Sequence, residues 1–428
     1  MFQRLRNLRR QFYAWRQRRP IQRLGMVALL SIVWPVRIAI LSLLNILSRT
    51  QTPRRMVVIQ LAGLGDMLML TPALAGLQNQ YPKAKIDLIT LHGYVRDAFQ
   101  NHPRLNTISM LSAYSGQWII SKFVNRPSAG LVLAVSWYYP NLLLKNLFSR
   151  YDVGINFALS DFDRNLGNAL LRCLSVRRRV GSFGPSDGML TDRLAVDYAR
   201  THRAIAYVEL LRPLGISGQS RAYEFPVAKI DLDSVKLALR RERIDNSKPL
   251  AVIHPGGKVH INSRRWPAEY YARVCEFLSD SEGFEIVLTG DDDDVDVCEQ
   301  ITRHLGTKAK SVAGRFTFRE TAALLSASQL CITNDTSTLH LAEAVQVARV
   351  ISIFGPSDAN LLAPQSERHI VLRSNLECAP CMGGIIDANT ERCWREVKEE
   401  CLSGITPELA ISVLKQHYAK PTLRVASA

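Results

Sequence analysis

The first sixty of the chain's 428 residues contain no aspartate, no glutamate and no lysine. They contain twelve arginines, at positions 4, 6, 9, 10, 16, 18, 19, 23, 37, 49, 54 and 55, so +12 of the formal net charge of +16 is confined there. The rest of the chain is close to neutral. That distribution argues against a nucleic-acid-binding body and for an N-terminal arm that meets an anionic surface. The chain also lacks any repeat of about 20–50 residues, and it has no low-complexity tract longer than the four aspartates at 291–294. Apolar residues at 47% and charged residues at 21% exclude a disordered chain. The length exceeds one ordinary core and implies two domains of roughly 150–200 residues.

The basic arm contains an apolar run at 26–47, MVALLSIVWPVRIAILSLLNIL. It is long enough to span a bilayer. Arg37 near its middle would cost about 2.5–3.5 kcal/mol on insertion scales, and Pro35 interrupts the helical ladder. On a helical wheel Ser31, Arg37, Ser42, Asn45, Ser48 and Arg49 fall on one side. A helix with one polar stripe and a wide apolar face suits the plane of the interface. The expectation is an in-plane or re-entrant anchor, with a spanning helix and a buried helix of the body as alternatives. No small-x-small site closes the run, so a cleaved signal peptide fits poorly.

Eight cysteines are present. Cys173, Cys275, Cys298 and Cys331 lie in apolar contexts and read as core thiols. Cys378 and Cys381 form a C-x2-C pair that is followed by Cys393 and Cys401. Structural metal, a disulfide and reduced thiols are all open readings of that group.

From residue 56 the pattern alternates short apolar runs with helical stretches. MVVIQL at 56–61, 86–90 and 151–157 read as strands, and a glycine turn at 62–65 leads into a helix that runs to about residue 80. LAVIH at 250–254, FEIVLT at 284–289, 330–333 and 350–354 repeat the strand pattern, with a helix at 268–279. Such alternation implies doubly wound parallel sheets, whose ligands sit beyond the carboxyl ends of the strands.

The motifs fall at those ends. In QLAGLGDMLMLTP (60–72), Gly63 and Gly65 let backbone approach a ligand. Asp66 is either a helix cap or a general base for a sugar hydroxyl; the spacing is not a dinucleotide fingerprint. HPGG at 254–257 places His254, Gly256 and Gly257 after a strand, where amides can face phosphate oxygens. In NSRRWP (262–267), Arg264 and Arg265 can grip a diphosphate bidentately, and Trp266 reads as a packing residue. In TNDTSTLHLAE (333–343), Thr336 and Ser337 with helix amides form an anion site, and Asp335 is either a cap or a partner for hydroxyls. His340 is either a core histidine or a donor contact. FGPSD at 354–358 reads as a pocket wall, and the aspartates at 291–294 as acids at a helix start.

These runs together resemble glycosyltransferase family 9, which includes the ADP-heptose:lipopolysaccharide heptosyltransferases. The likeness rests on LAGLGDMLMLTPAL, HPGG, RRWPAEYY, VAGRFTFRETAALLSASQLCITNDTSTLHLAEA and IFGPSD, in order over roughly 55–415. The resemblance implies a GT-B fold, two Rossmann-like domains facing a cleft, with an acceptor domain at 53–225 and a nucleotide-sugar domain at 226–428; the basic membrane anchor expected at 1–52 lies outside the likeness. It implies inverting transfer with no metal and no cofactor. The donor would be a nucleotide-sugar, ADP-heptose first, and the acceptor a lipid-linked saccharide such as lipopolysaccharide core. Asp66 matches the family's catalytic aspartate, Arg264 or Arg265 its donor-phosphate cation, and Asp335, Thr336, Ser337 and His340 its donor-binding block. Two departures stand out: no basic residue precedes the glycine-Asp pair, and Ser337 replaces a glycine. The alternatives are another nucleotide-hexose donor, a non-catalytic sugar-nucleotide scaffold and a sugar-nucleotide epimerase. The arm at 1–50 implies attachment to the cytoplasmic face of the inner membrane. Protease added outside sealed inverted inner-membrane vesicles should therefore digest the globular body, and its protection would sink the cytoplasmic anchor.

Overall fold

The computed structural model describes residues 52–111, 142, 151–184, 186–218, 222–245, 247–257, 264–382, 393, 396, 397 and 399–418. The anchor expected at 1–52, but for its last residue, lies outside these, as do Asn262 and Ser263. Among the described residues no helix is long and apolar enough to cross a membrane. The chain forms two compact bodies. One comprises Met1–Ala62, Gln78–Arg96 and Arg104–Ala195; the other comprises Gly63–Leu77, Asp97–Pro103 and Val196–Ala428.

The first body is built on a parallel sheet of order β3-β2-β1-β4-β5-β6. Its strands are β1 (Arg55–Ile59), β2 (Lys85–Thr90), β3 (Thr107–Met110), β4 (Val153–Asn156), β5 (Arg178–Ser182) and β6 (Asp192–Leu194). After Arg55, β1 is apolar and buried because neighbours cover both faces, as parallel sheets require. The one charge buried on the apolar run of β2, Asp87, is fully partnered. It accepts from Arg55 at 3.0 Å, Asn106 at 2.7 Å, Thr107 at 2.8 Å and Tyr151 at 3.0 Å.

The second body carries a parallel sheet of order β12-β11-β10-β7-β8-β9. Its strands are β7 (Leu250–His254), β8 (Glu285–Leu288), β9 (Ala309–Ser311), β10 (Leu330–Asn334), β11 (Arg349–Phe354) and β12 (His369–Arg373). Ile253, Ile286, Leu288, Ile332 and Ile351 on these strands pack with Trp266, Tyr271 and Leu278 from the covering segments. In each sheet the order reverses, at β1/β4 and at β7/β10, and strand ends at such a point form a natural ligand crevice.

The two parallel sheets and the strand at 250–254 agree with the sequence reading. The strands it lacks, β3, β5, β6, β9 and β12, are three to five residues long and mostly charged or polar, RRVGS and AKS among them. β3, β6, β9 and β12 are edge strands and β5 lies beside one, and all are too short to show a period.

The helix Leu64–Gln80 contains Pro72, which has no N–H to give to the carbonyl of Leu68. The Thr71 hydroxyl donates to that carbonyl instead, at 2.7 Å, and accepts from the amide of Glu224 at 3.0 Å. Thr71→Val keeps the shape and strands both backbone groups in a buried setting. Chemical denaturation should register a loss of about 2 kcal/mol, with Thr71→Ser close to wild type.

Candidate functional site

At the carboxyl end of β8 the chain turns through Gly290 into the Asp292–Asp294 turn and the helix Val295–Leu305. Asp291 caps this start through a capping box, so the acidic run does serve a helix start. Asp294 does more. Its carboxylate, 3% exposed, accepts from the amides of Gly257 and Asp291 at 3.2 Å each and pairs with Arg265 at 2.8 Å. His254 Nε2 lies 3.6 Å away. Burial pushes the Asp294 carboxyl up, but His254 and the two amides outweigh it and hold the group below the ordinary 3.8. A Cβ on Gly256 would stand 2.1 Å from Asp294 Cγ, and one on Gly290 2.5 Å from its Cβ. Both glycines are thus required by the close approach of this side chain.

Asn334, at the end of β10, locks the same region. Its Nδ2 donates to the carbonyls of Pro255 and Gly256 at 2.8 and 2.9 Å. Its Oδ1 accepts from the Trp266 amide at 3.2 Å and the Tyr271 hydroxyl at 2.8 Å. Trp266 is buried and packs, as expected, with its indole N–H on the carbonyl of Ile405 at 2.8 Å.

These constraints separate the two arginines. Arg265 is committed: Nε and Nη2 both donate to the Gly257 carbonyl, and Nη2 also holds Asp294. Arg264 is 12% exposed and lies 3.2 Å from the Asp335 carboxylate through Nη1. Its buried Nε and Nη2 have no hydrogen-bond partner among the described residues. The helix Ser337–Ala344 begins beside it. Thr336, and not Asp335, is its cap, accepting from the Thr338 amide at 3.3 Å. The Thr336 hydroxyl also lies 3.4 Å from His254 Nδ1, so His254 spans the gap between Asp294 and the helix start. Arg264, Thr336 and Ser337 therefore gather unspent donors and a helix N-terminus around one spot, an arrangement suited to an anion.

Asp66 sits in the first turn of the helix Leu64–Gln80, within the same body, and is not its cap residue. The Tyr207 hydroxyl donates to its Oδ1 at 2.9 Å, and Arg203 Nε lies 3.8 Å from the same oxygen. Neither partner was legible in the sequence: they come from the helix Arg203–Glu209, which carries no motif. Gly65 is pressed against the fourth sequence candidate of the donor block; a Cβ there would sit 3.1 Å from His340 Cδ2. Burial drives His340 down to about 4, so its ring is neutral at pH 7, with Nδ1 unpartnered among the described residues. Gly63 supplies the carbonyl that receives the Met67 amide at 3.1 Å.

Gly355, Ser357 and Asp358 line a cavity of about 240 Å³ with Arg373, Ser374 and Asn375, which gives the FGPSD turn its expected place in a pocket wall. Cys173, Cys275, Cys298 and Cys331 are buried as expected, and none of the eight cysteines forms a disulfide. Among the described residues no cluster of three or more histidine, cysteine or acidic side chains has a metal-binding arrangement.

A family model described as "Glycosyltransferase family 9 (heptosyltransferase)" matches residues 144–386. Lipopolysaccharide heptosyltransferase 3 of Escherichia coli K12 is 28% identical over 316 residues, 72% of this chain and 84% of that protein. In fold, the chain matches a family 9 glycosyl transferase from Veillonella parvula with TM-score 0.68 at 19% identity, covering 85% of this chain and 96% of that one. It also matches the E. coli ADP-heptose lps heptosyltransferase II with TM-score 0.62 at 20% identity, covering 85% and 98%.

The pH dependence of stability follows from Asp294. A carboxyl held below its unfolded value adds stability in full above about pH 4, and that stability is lost as pH falls through the lower folded value. Asp294→Asn should cost about 3 kcal/mol at neutral pH and flatten the loss of stability below about pH 4. Urea unfolding across that range measures it; parallel curves for the two proteins would remove Asp294 as the anchor.

Proposed function

This chain belongs to glycosyltransferase family 9, and we propose that it transfers a heptose from ADP-heptose to a lipid-linked saccharide of the lipopolysaccharide core. The observation that carries the donor side is the buried Arg264 guanidinium, with Nε and Nη2 unpaired among the described residues beside the start of the helix Ser337–Ala344. A diphosphate would satisfy those groups and accept the helix amides. Of the two arginines, Arg264 takes this role and Arg265 shapes the turn through Asp294.

Asp66 acts as general base: it takes the proton from an acceptor hydroxyl, and that oxygen attacks the anomeric carbon from the face opposite the leaving ADP. The configuration inverts. Arg264 and the amides near Thr336 stabilise the charge that develops on the diphosphate, and these groups do the work that a metal ion does elsewhere. His254, Gly256 and Gly257 hold the loop around the phosphates, and Asp335, Ser337 and His340 face the ribose or the sugar. The basic arm at 1–50 holds the enzyme at the cytoplasmic face of the inner membrane, where the lipid-linked acceptor lies. The main support for heptose is that the curated relative above and the solved E. coli structure above are named for it. Ser337, where the resemblance has glycine, favours a second reading in which another nucleotide-hexose is the donor.

Calorimetry with ADP, UDP, GDP and ADP-heptose tests the donor: ADP and its heptose should bind, and preference for UDP or GDP would replace it. Arg264→Ala should weaken ADP binding by about 2 kcal/mol, roughly thirtyfold. Asp66→Ala should lower turnover a hundredfold or more while donor binding stays near wild type. Near-normal turnover would take Asp66 out of the mechanism.

A further inference from the structure

Arg203 and Tyr207 are four residues apart on the helix Arg203–Glu209 and so project from one face. Both are buried, at 2% and 0% exposure. Their polar ends meet the same atom, Asp66 Oδ1, at 3.8 Å from Arg203 Nε and 2.9 Å from the Tyr207 hydroxyl. The Tyr207 hydrogen bond and the Arg203 contact both fall on Oδ1 and not on Oδ2. The two oxygens of one carboxylate are thus unlike: one is anchored and the other is available. An asymmetrically held carboxylate presents a fixed lone pair, which orientation-dependent proton transfer requires.

We infer that Tyr207, backed by Arg203, is the positioning residue for Asp66, fixing Oδ1 so that Oδ2 receives the acceptor's proton. The inference rests on the reading of Asp66 as general base given above. Arg203 is itself held, its guanidinium 5.6 Å from the Tyr198 ring centre. Two further titratable groups near Asp66 among the described residues are Tyr223 and, across Gly65, His340. The Tyr223 phenol is pushed up by burial and then by Glu343 and Asp66; it stays neutral, and so does His340 across Gly65. Neither supplies a competing charge near neutral pH, which leaves Tyr207 and Arg203 to set the carboxylate's orientation.

The test is kcat against pH for wild type, Tyr207→Phe and Arg203→Lys, with donor KM measured alongside. Losing a hydrogen-bond donor disfavours the ionised form of a carboxylate. Tyr207→Phe should therefore move the acid limb of kcat to higher pH by about half a unit and lower kcat about tenfold at the optimum. Donor KM should stay within about twofold, since the contact is not made to the donor. Arg203→Lys, which keeps the charge, should retain most of kcat. If the Phe variant fails to fold, Tyr207→His, whose ring N–H can also donate, should keep the wild-type acid limb, and a displaced limb would count against the role. An active wild type whose profile Tyr207→Phe leaves unmoved, or a loss confined to donor KM, overturns the inference alone. A wild type inert with every nucleotide-sugar overturns the reading of the site and the inference with it.

Discussion

The Asp294 carboxylate lies between the turns that end β7 and β8, and the candidate site of the second body depends on how it is satisfied. A buried carboxylate is tolerable only with partners. Here the partners are the amides of Gly257 and Asp291, the guanidinium of Arg265 and the imidazole of His254. Each partner is thereby placed. The Gly256–Gly257 turn is folded back, Arg265 is withdrawn from ligand duty, and His254 is aimed along a line that continues to Thr336. Arg264, paired with Asp335 through Nη1, keeps Nε and Nη2 without a hydrogen-bond partner among the described residues. The proposed anion site is built on the donors that the buried charge leaves unused.

Asn334 closes the same structure from the neighbouring strand. Both donors and the acceptor oxygen of its amide are used, two bonds going to the β7 turn and two to residues of the segment that follows it. A polar group so fully satisfied adds rigidity to the turn after β7.

The sheets and most of the site lie within a few residues of strand ends, and local patterning reveals strand ends. Asp66 and Thr336, which follow β1 and β10, stand out as candidates in the sequence for that reason. Partners distant in sequence do not: Tyr207 reaches Asp66 across 141 positions, and Asn334 reaches Pro255 across 79. Asp294 was hidden differently. It stands in a run of four acids that a helix start explains well, and capping does account for Asp291. The second role appears only when Gly256 and Gly290 are seen to make room for it. Likewise, adjacent arginines are equivalent on paper; only their partners tell them apart.

Asp66 follows a strand of the first body, yet the segment Gly63–Leu77, which holds most of its helix, belongs to the second, as does the short stretch Asp97–Pro103. Asp66, Arg203, Tyr207, Arg264 and the helix Ser337–Ala344 therefore share one body. For chimera building this changes where the chain can be cut. A graft that exchanged everything ahead of Val196 for the matching part of a relative would import a foreign glycine-Asp helix against the native His340, Arg203 and Tyr207. The exchangeable part is a discontinuous cassette, and a working hybrid would have to leave both embedded segments with their host.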